Sequence, residues 1–161
     1  LYGSHHVTTP YVLFLDADMY LLEKDLLSSI FDLYSDFDLL TIPFRTDHSY
    51  DWCYRIFDKV QWLSHKIARE AFAIGGFQLF RTKAYWIAGG YNAKERFAED
   101  YTISLKIKAK RFIVHKTNYG VYTSPRRFKN KGIWYIVKLM ALTYINKNNP
   151  KYFEKAHGYW D

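Results

Sequence analysis

Four groups of residues have the types and spacing to do chemistry. The first is Asp16-Ala17-Asp18. Two carboxylates flanking a small residue offer hard oxygen ligands of the kind Mg²⁺ and Mn²⁺ prefer. Mg²⁺ is commonly held by one or two carboxylates together with substrate phosphates. A cation so placed neutralises a diphosphate and assists its departure. The same triplet can equally end a strand and open a turn, because Asp is a common turn former. The second group is Glu99-Asp100. A carboxylate beside a metal and a reacting hydroxyl can accept its proton, whereas acids in the first turn of a helix also simply complement the helix dipole. The third comprises Gly75-Gly76 and Gly89-Gly90, which precede the aromatics Phe77 and Tyr91. Glycine lets a backbone approach a ligand closely, and it also serves ordinary turns. Neither pair forms a strand–glycine-rich–helix phosphate loop. The fourth is Ser124-Pro125-Arg126-Arg127, where paired arginines beside a Pro-fixed turn suit phosphate oxygens or a solvated basic surface. The histidines show no ligand spacing, and His115 becomes a ligand only if the fold carries it to the metal.

These groups need elements to position them. The apolar run at residues 11–15 stops at Asp16 and reads as a strand buried on both faces. Residues 23–34 carry apolar side chains at helical spacing, and residues 38–43 read as a short strand. Trp52, Ile56, Val60, Leu63 and Ile67 mark one face of a longer helix. Residues 77–80 read as a strand, followed by a helix that Thr82 would cap and Gly89-Gly90 would end. After Asp100 the pattern fits both a strand and a helix. Tyr101, Leu105, Ala109 and Phe112 share a helical face, and the preceding acids favour a helix start, so a helix is predicted. Short strands are predicted at residues 112–115 and 121–123, around Asn118 and Gly120, and a last amphipathic helix at about 131–145. Strands alternating with helices predict an α/β fold: a mixed sheet with flanking helices. Ligands of such sheets bind beyond the carboxyl ends of strands, where Asp16 and Asp18 fall.

The 161 residues suffice for one domain with a sizeable core. A net charge of +7 draws the chain to anions: nucleotide phosphates, nucleic acid or an anionic membrane surface. Basic residues concentrate late, at Lys106, Lys108, Lys110 and Arg111, then at Arg126, Arg127, Lys129 and Lys131. Cys53 is the only cysteine, which excludes an internal disulfide and a multi-thiolate zinc site. No signal-peptide pattern is read, and the longest apolar stretch, residues 132–145, is broken by Lys138 and too short to span a bilayer. The expected location is cytoplasmic, including the cytoplasmic face of a membrane.

Taken in order, YVLFLDADMYL, AIGGFQLFRTKAYWIAGGYNAKERFAEDYTISLKIKAKR and TSPRRF resemble glycosyltransferase family 2, whose members have the GT-A fold. The resemblance covers residues 9–145. It implies the C-terminal portion of a GT-A, nucleotide-diphospho-sugar transferase fold. Residues 1–161 would form a single partial domain, the acceptor and metal half, with residues from about 131–161 as a helical extension. It implies that Asp16 and Asp18 bind a divalent cation, Mn²⁺ or Mg²⁺, and the donor diphosphate, with Asp18 the direct ligand. Asp100 would deprotonate the acceptor hydroxyl, with Glu99 beside it. Gly75, Gly76 and Phe77 would shape the sugar and acceptor pocket. Arg126 and Arg127, in TSPRRF, add the phosphate contacts read above from residue type.

The family's N-terminal half, which holds the nucleotide base, would precede Leu1, so the fragment alone is expected to lack much of its donor site and its activity. The Gln-x-x-Arg-Trp motif of processive polysaccharide synthases is absent, and no His stands near Thr123 or Ser124 to serve as a third ligand. The expected function is therefore a metal-dependent inverting glycosyltransferase. Its partners are a nucleotide-diphosphate sugar and a glycan, lipid-carrier or small-molecule acceptor, with peripheral membrane contact and no nucleic acid. The alternatives are a nucleotidyltransferase of related fold, or a non-enzymatic basic module binding anionic membrane or nucleic acid. In the membrane reading, Trp134, Ile136, Val137, Met140 and Leu142 would form an interfacial face beside the basic cluster.

Overall fold

A computed structural model of the protein describes residues 2–46, 49–73, 75–117 and 120–158. The apolar run forms strand β1 (Tyr11–Leu15), as predicted, but it is not buried on both faces. β1 stands at the edge of a four-stranded sheet and pairs antiparallel with β5 (Phe77–Arg81) alone among the described residues. β5 pairs antiparallel with β3 (Leu39–Thr41), and β3 runs parallel with β6 (Phe112–Val114). Period-two alternation sends Leu40 and Leu79 to one face of this sheet and Leu39 and Phe80 to the other. The first face buries α1 (Leu26–Leu33) through Leu26 and Ile30. The second buries α3 (Thr82–Ile87) through Ala84 and Tyr85, and α4 (Glu99–Ser104) through Ile103. The fold is mixed α/β with flanking helices, as expected.

A second, three-stranded sheet was not anticipated. Strand β7 (Val121–Thr123) pairs antiparallel with β2 (Met19–Leu21) and parallel with β4 (Phe44–Arg45). Strands of two and three residues carry too little alternation to register as a period.

Helix α2 (Asp51–Ala68) occupies the predicted span with its apolar stripe turned outward. Trp52, Ile56, Val60, Leu63 and Ile67 are all exposed, Ile67 at 73%. The inward face is fixed by other partners. Asp58 pairs with Arg45 at 2.7 Å, Tyr54 packs edge-on against Phe44, and the amide of Gln61 donates to the Phe72 carbonyl at 2.6 Å.

Thr82 does not cap α3. It is the first helical residue, and its hydroxyl donates to the Thr9 carbonyl at 2.8 Å instead. Gly89 and Gly90 end that helix with φ of +90° and +64°, the left-handed conformation expected of them. The helix after Asp100 is shorter than its spacing suggests. It stops at Ser104, and Phe112 opens β6 rather than extending a helical face. The predicted last helix is α6 (Ile133–Ile145), and a short α5 (Arg126–Lys131) that was not expected precedes it across Gly132, with φ +79°. Arg126 and Arg127 thus open a helix, with Pro125 before them. A short α7 (Pro150–Phe153) follows. Asn118 lies outside the described residues. Among the described residues no helix is long and apolar enough to cross a membrane.

Candidate active site

The first acidic pair sits where β1 ends. Because Leu15 lies opposite Phe77, the residue after the strand meets the residue before its partner, and the Asp16 amide donates to the Gly76 carbonyl at 3.3 Å. The Met19 amide donates to the Asp16 carbonyl at 3.0 Å, which closes a turn through Ala17 and Asp18. That turn feeds β2, and the β2–β7 pairing sets Met19 opposite Thr123. The chain just past Thr123 is thereby carried to the acids, and Arg126 reaches Asp18 at 3.9 Å on the exposed side.

The second pair arrives from the other flank. Glu99 and Asp100 open α4 after Ala98, which adopts a left-handed conformation with φ of 50°. For a residue with a Cβ this costs about 1–2 kcal/mol, and such strain persists where the surroundings over-determine it. The Gly75 amide donates to the Asp100 carboxylate. A Cβ built on Gly75 would stand 2.8 Å from that Asp100 oxygen, so any larger residue here would have to displace the carboxylate. Gly76 has φ +109°, and its Cβ would overlap the Met19 side chain. The glycine pair is therefore the joint between the two acidic pairs: Gly76 bonds to Asp16 and Gly75 to Asp100.

The acids feel one another. Burial, then the charge of Glu99, pushes the Asp100 carboxyl up to about 6, against the opposing pull of the Gly75 and Tyr101 amides. Burial raises Glu99 as well, and the Asp16 charge adds to it. Asp16 is raised by burial and then by Asp18, while Arg127 acts in the opposite direction on both Asp16 and Glu99. Asp16, Gly75, Glu99, Asp100 and Arg127 line one cavity of about 540 Å³, within the range of ligand sites.

Asp16 and Asp18 are mutually repelling carboxylates, the chemistry a hard divalent cation would offset. Among the described residues no group of three or more His, Cys, Asp or Glu gathers to hold a metal. The protein's share would then be these two carboxylates, with phosphate and water completing the shell. His115 is buried at the end of β6, with its ring Nδ1 3.3 Å from the Tyr34 hydroxyl, and it does not line the cavity. Phe77 does not line it either. Its ring is fully buried in the core, which makes its part structural.

One supporting residue, Gln78, escaped the sequence reading. The amide of fully buried Gln78 donates to the Asp100 carbonyl at 3.1 Å, and its oxygen accepts from the Tyr91 hydroxyl. This ties the turn after Gly89-Gly90 to the start of α4. A polar residue inside the apolar run Phe77-Gln78-Leu79-Phe80 was the available signal, since a buried amide requires partners. Comparisons of the chain with protein-family models, curated proteins and solved structures found no match.

Proposed function

We propose that the chain is the metal- and acceptor-binding part of an inverting glycosyltransferase with a GT-A-type fold. It would move a sugar from a nucleoside-diphosphate donor to an acceptor hydroxyl. The observation that carries this reading is the convergence of Asp16, Glu99, Asp100 and Arg127 on one cavity through the Gly75-Gly76 joint. Asp100 takes the hydroxyl proton as the acceptor oxygen bonds to the anomeric carbon and the bond to the diphosphate breaks. A carboxyl titrating at about 6 is ionised at neutral pH and still basic enough to gain a proton. Arg127 and Arg126 lie beside the acids, where the diphosphate's negative charge would fall. Asp16 and Asp18 would hold a divalent cation, which would supply charge neutralisation to the departing diphosphate.

The test is a panel of nucleotide sugars with Mn²⁺ or Mg²⁺, assayed on the complete protein that contains this chain. Transfer is expected to depend on the cation and to fall by about a hundredfold or more in both Asp18→Ala and Asp100→Asn. Unchanged transfer in both variants would rule the assignment out.

A further inference from the structure

The cavity that holds the acids is much larger than their immediate surroundings, and the rest of its wall is mainly apolar, interrupted by Ser64, Glu70, Thr123 and Thr143. Phe57 and Val60 line it from α2, Phe72 from the loop after α2, and Leu139, Met140 and Tyr144 from α6. Its aromatic rings could pack on the C–H face of a sugar, but the aliphatic Val60, Leu139 and Met140 suit a hydrocarbon chain. Hydroxyl-rich sugars would leave hydrogen bonds unmade against them. The outward turn of the α2 stripe leads to the same place. Val60, 47% exposed, belongs both to that stripe and to the cavity wall, and Tyr144 of α6, 53% exposed, lines the same wall. The cavity therefore extends from these exposed side chains of α2 and α6 to Asp100 and Arg127.

We propose that this cavity seats the alkyl or isoprenoid tail of an amphiphilic acceptor, with the tail between α2 and α6 and the hydroxyl at Asp100. The head's chemistry rests on the glycosyl-transfer reading. The tail's seat rests on the cavity wall alone.

Methyl, butyl and octyl β-glucoside, each below its micellar concentration, serve as probes, with binding read by calorimetry in the absence of any donor. Affinity is expected to rise with chain length by up to about fourfold per buried methylene. Val60→Asp, at the exposed rim where folding is not at stake, is expected to weaken octyl glucoside by about tenfold and to leave methyl glucoside unaffected. Trp134→Ser, 84% exposed and off the cavity wall, is expected to change neither. Affinity independent of chain length, or an equal response of Val60→Asp and Trp134→Ser, overturns the proposal. A second arm uses octadecyl β-glucoside in neutral phosphatidylcholine vesicles. Co-sedimentation with these and not with bare vesicles supports the proposal with a membrane-resident acceptor, and octyl glucoside binding without co-sedimentation supports it with a soluble one. Chain-length dependence in a protein that transfers no sugar supports the seat and removes only the glycosyl-transfer reading.

Discussion

Asp100 is held between opposing influences. Burial and Glu99 favour its protonated form, and two backbone amides favour its charged form. With the balance at about 6, transfer should fall below that pH with the slope of a single proton, and the kcat/KM profile of the complete protein measures it. Gly75 is the nearest control on this carboxylate. In Gly75→Ala the new methyl lands 2.8 Å from the oxygen and must displace it. A misplacement of about an ångström costs about a hundredfold in kcat. Steady-state kinetics should show that loss in a protein whose circular dichroism is unchanged. Both acidic pairs and the glycines were legible in the sequence through the order and spacing in which the family resemblance joins them, since each alone also reads as a turn or a helix start. Ala98 was not, since nothing in an alanine's identity announces a left-handed backbone. Nor was the difference between the two arginines. Arg127 lines the cavity and Arg126 meets Asp18 outside it, and that depends on which way α5 enters.

At the scale of elements, the strands and helices with clear periodicity stand close to where the pattern put them. β1, α2 and β7 match their predicted spans or nearly so. What the pattern leaves open is orientation. The apolar stripe of α2 marks one face of the helix without saying where it points, and it faces outward because Asp58, Tyr54 and Gln61 bind the opposite side. The second sheet was hidden for another reason: its shortest strand, β4, is defined by its partner. Gly120 holds that partnership. It lies against Pro43 with φ +71°, and the neighbouring Val121 amide donates to the Pro43 carbonyl at 3.0 Å. A Cβ there would overlap that same carbonyl oxygen. Gly120→Ala adds this clash to about 1–2 kcal/mol of backbone strain, so a loss of at least about 2 kcal/mol is expected in urea melts. Because β7 leads into α5, transfer should fall with it.

At the scale of the whole molecule, the site opposes the fold. Asp16, Glu99 and Asp100 all have their carboxyls raised in the folded state, chiefly by burial. A raised carboxyl means that the folded chain binds its proton more tightly than the unfolded chain does. The resulting stability is present below the unfolded value and is lost as pH rises through the folded one. For Asp100 the window runs from 3.8 to about 6. The loss across it is up to about 3 kcal/mol, reduced by whatever solvent the cavity admits. Asp100→Asn removes the charge and keeps an oxygen for the Gly75 and Tyr101 amides. Its unfolding free energy relative to the parent should therefore rise by up to about 3 kcal/mol between pH 4 and pH 7.5, from urea melts at each pH. The parent loses stability over that range as Asp100 ionises, and the variant has no such step. The same substitution is expected to abolish transfer, so the more stable protein would be the inactive one. A stability difference that stays flat from pH 4 to pH 7.5 would mean that Asp100 is not strained by its surroundings, and would remove the physical basis for treating it as a base tuned by burial.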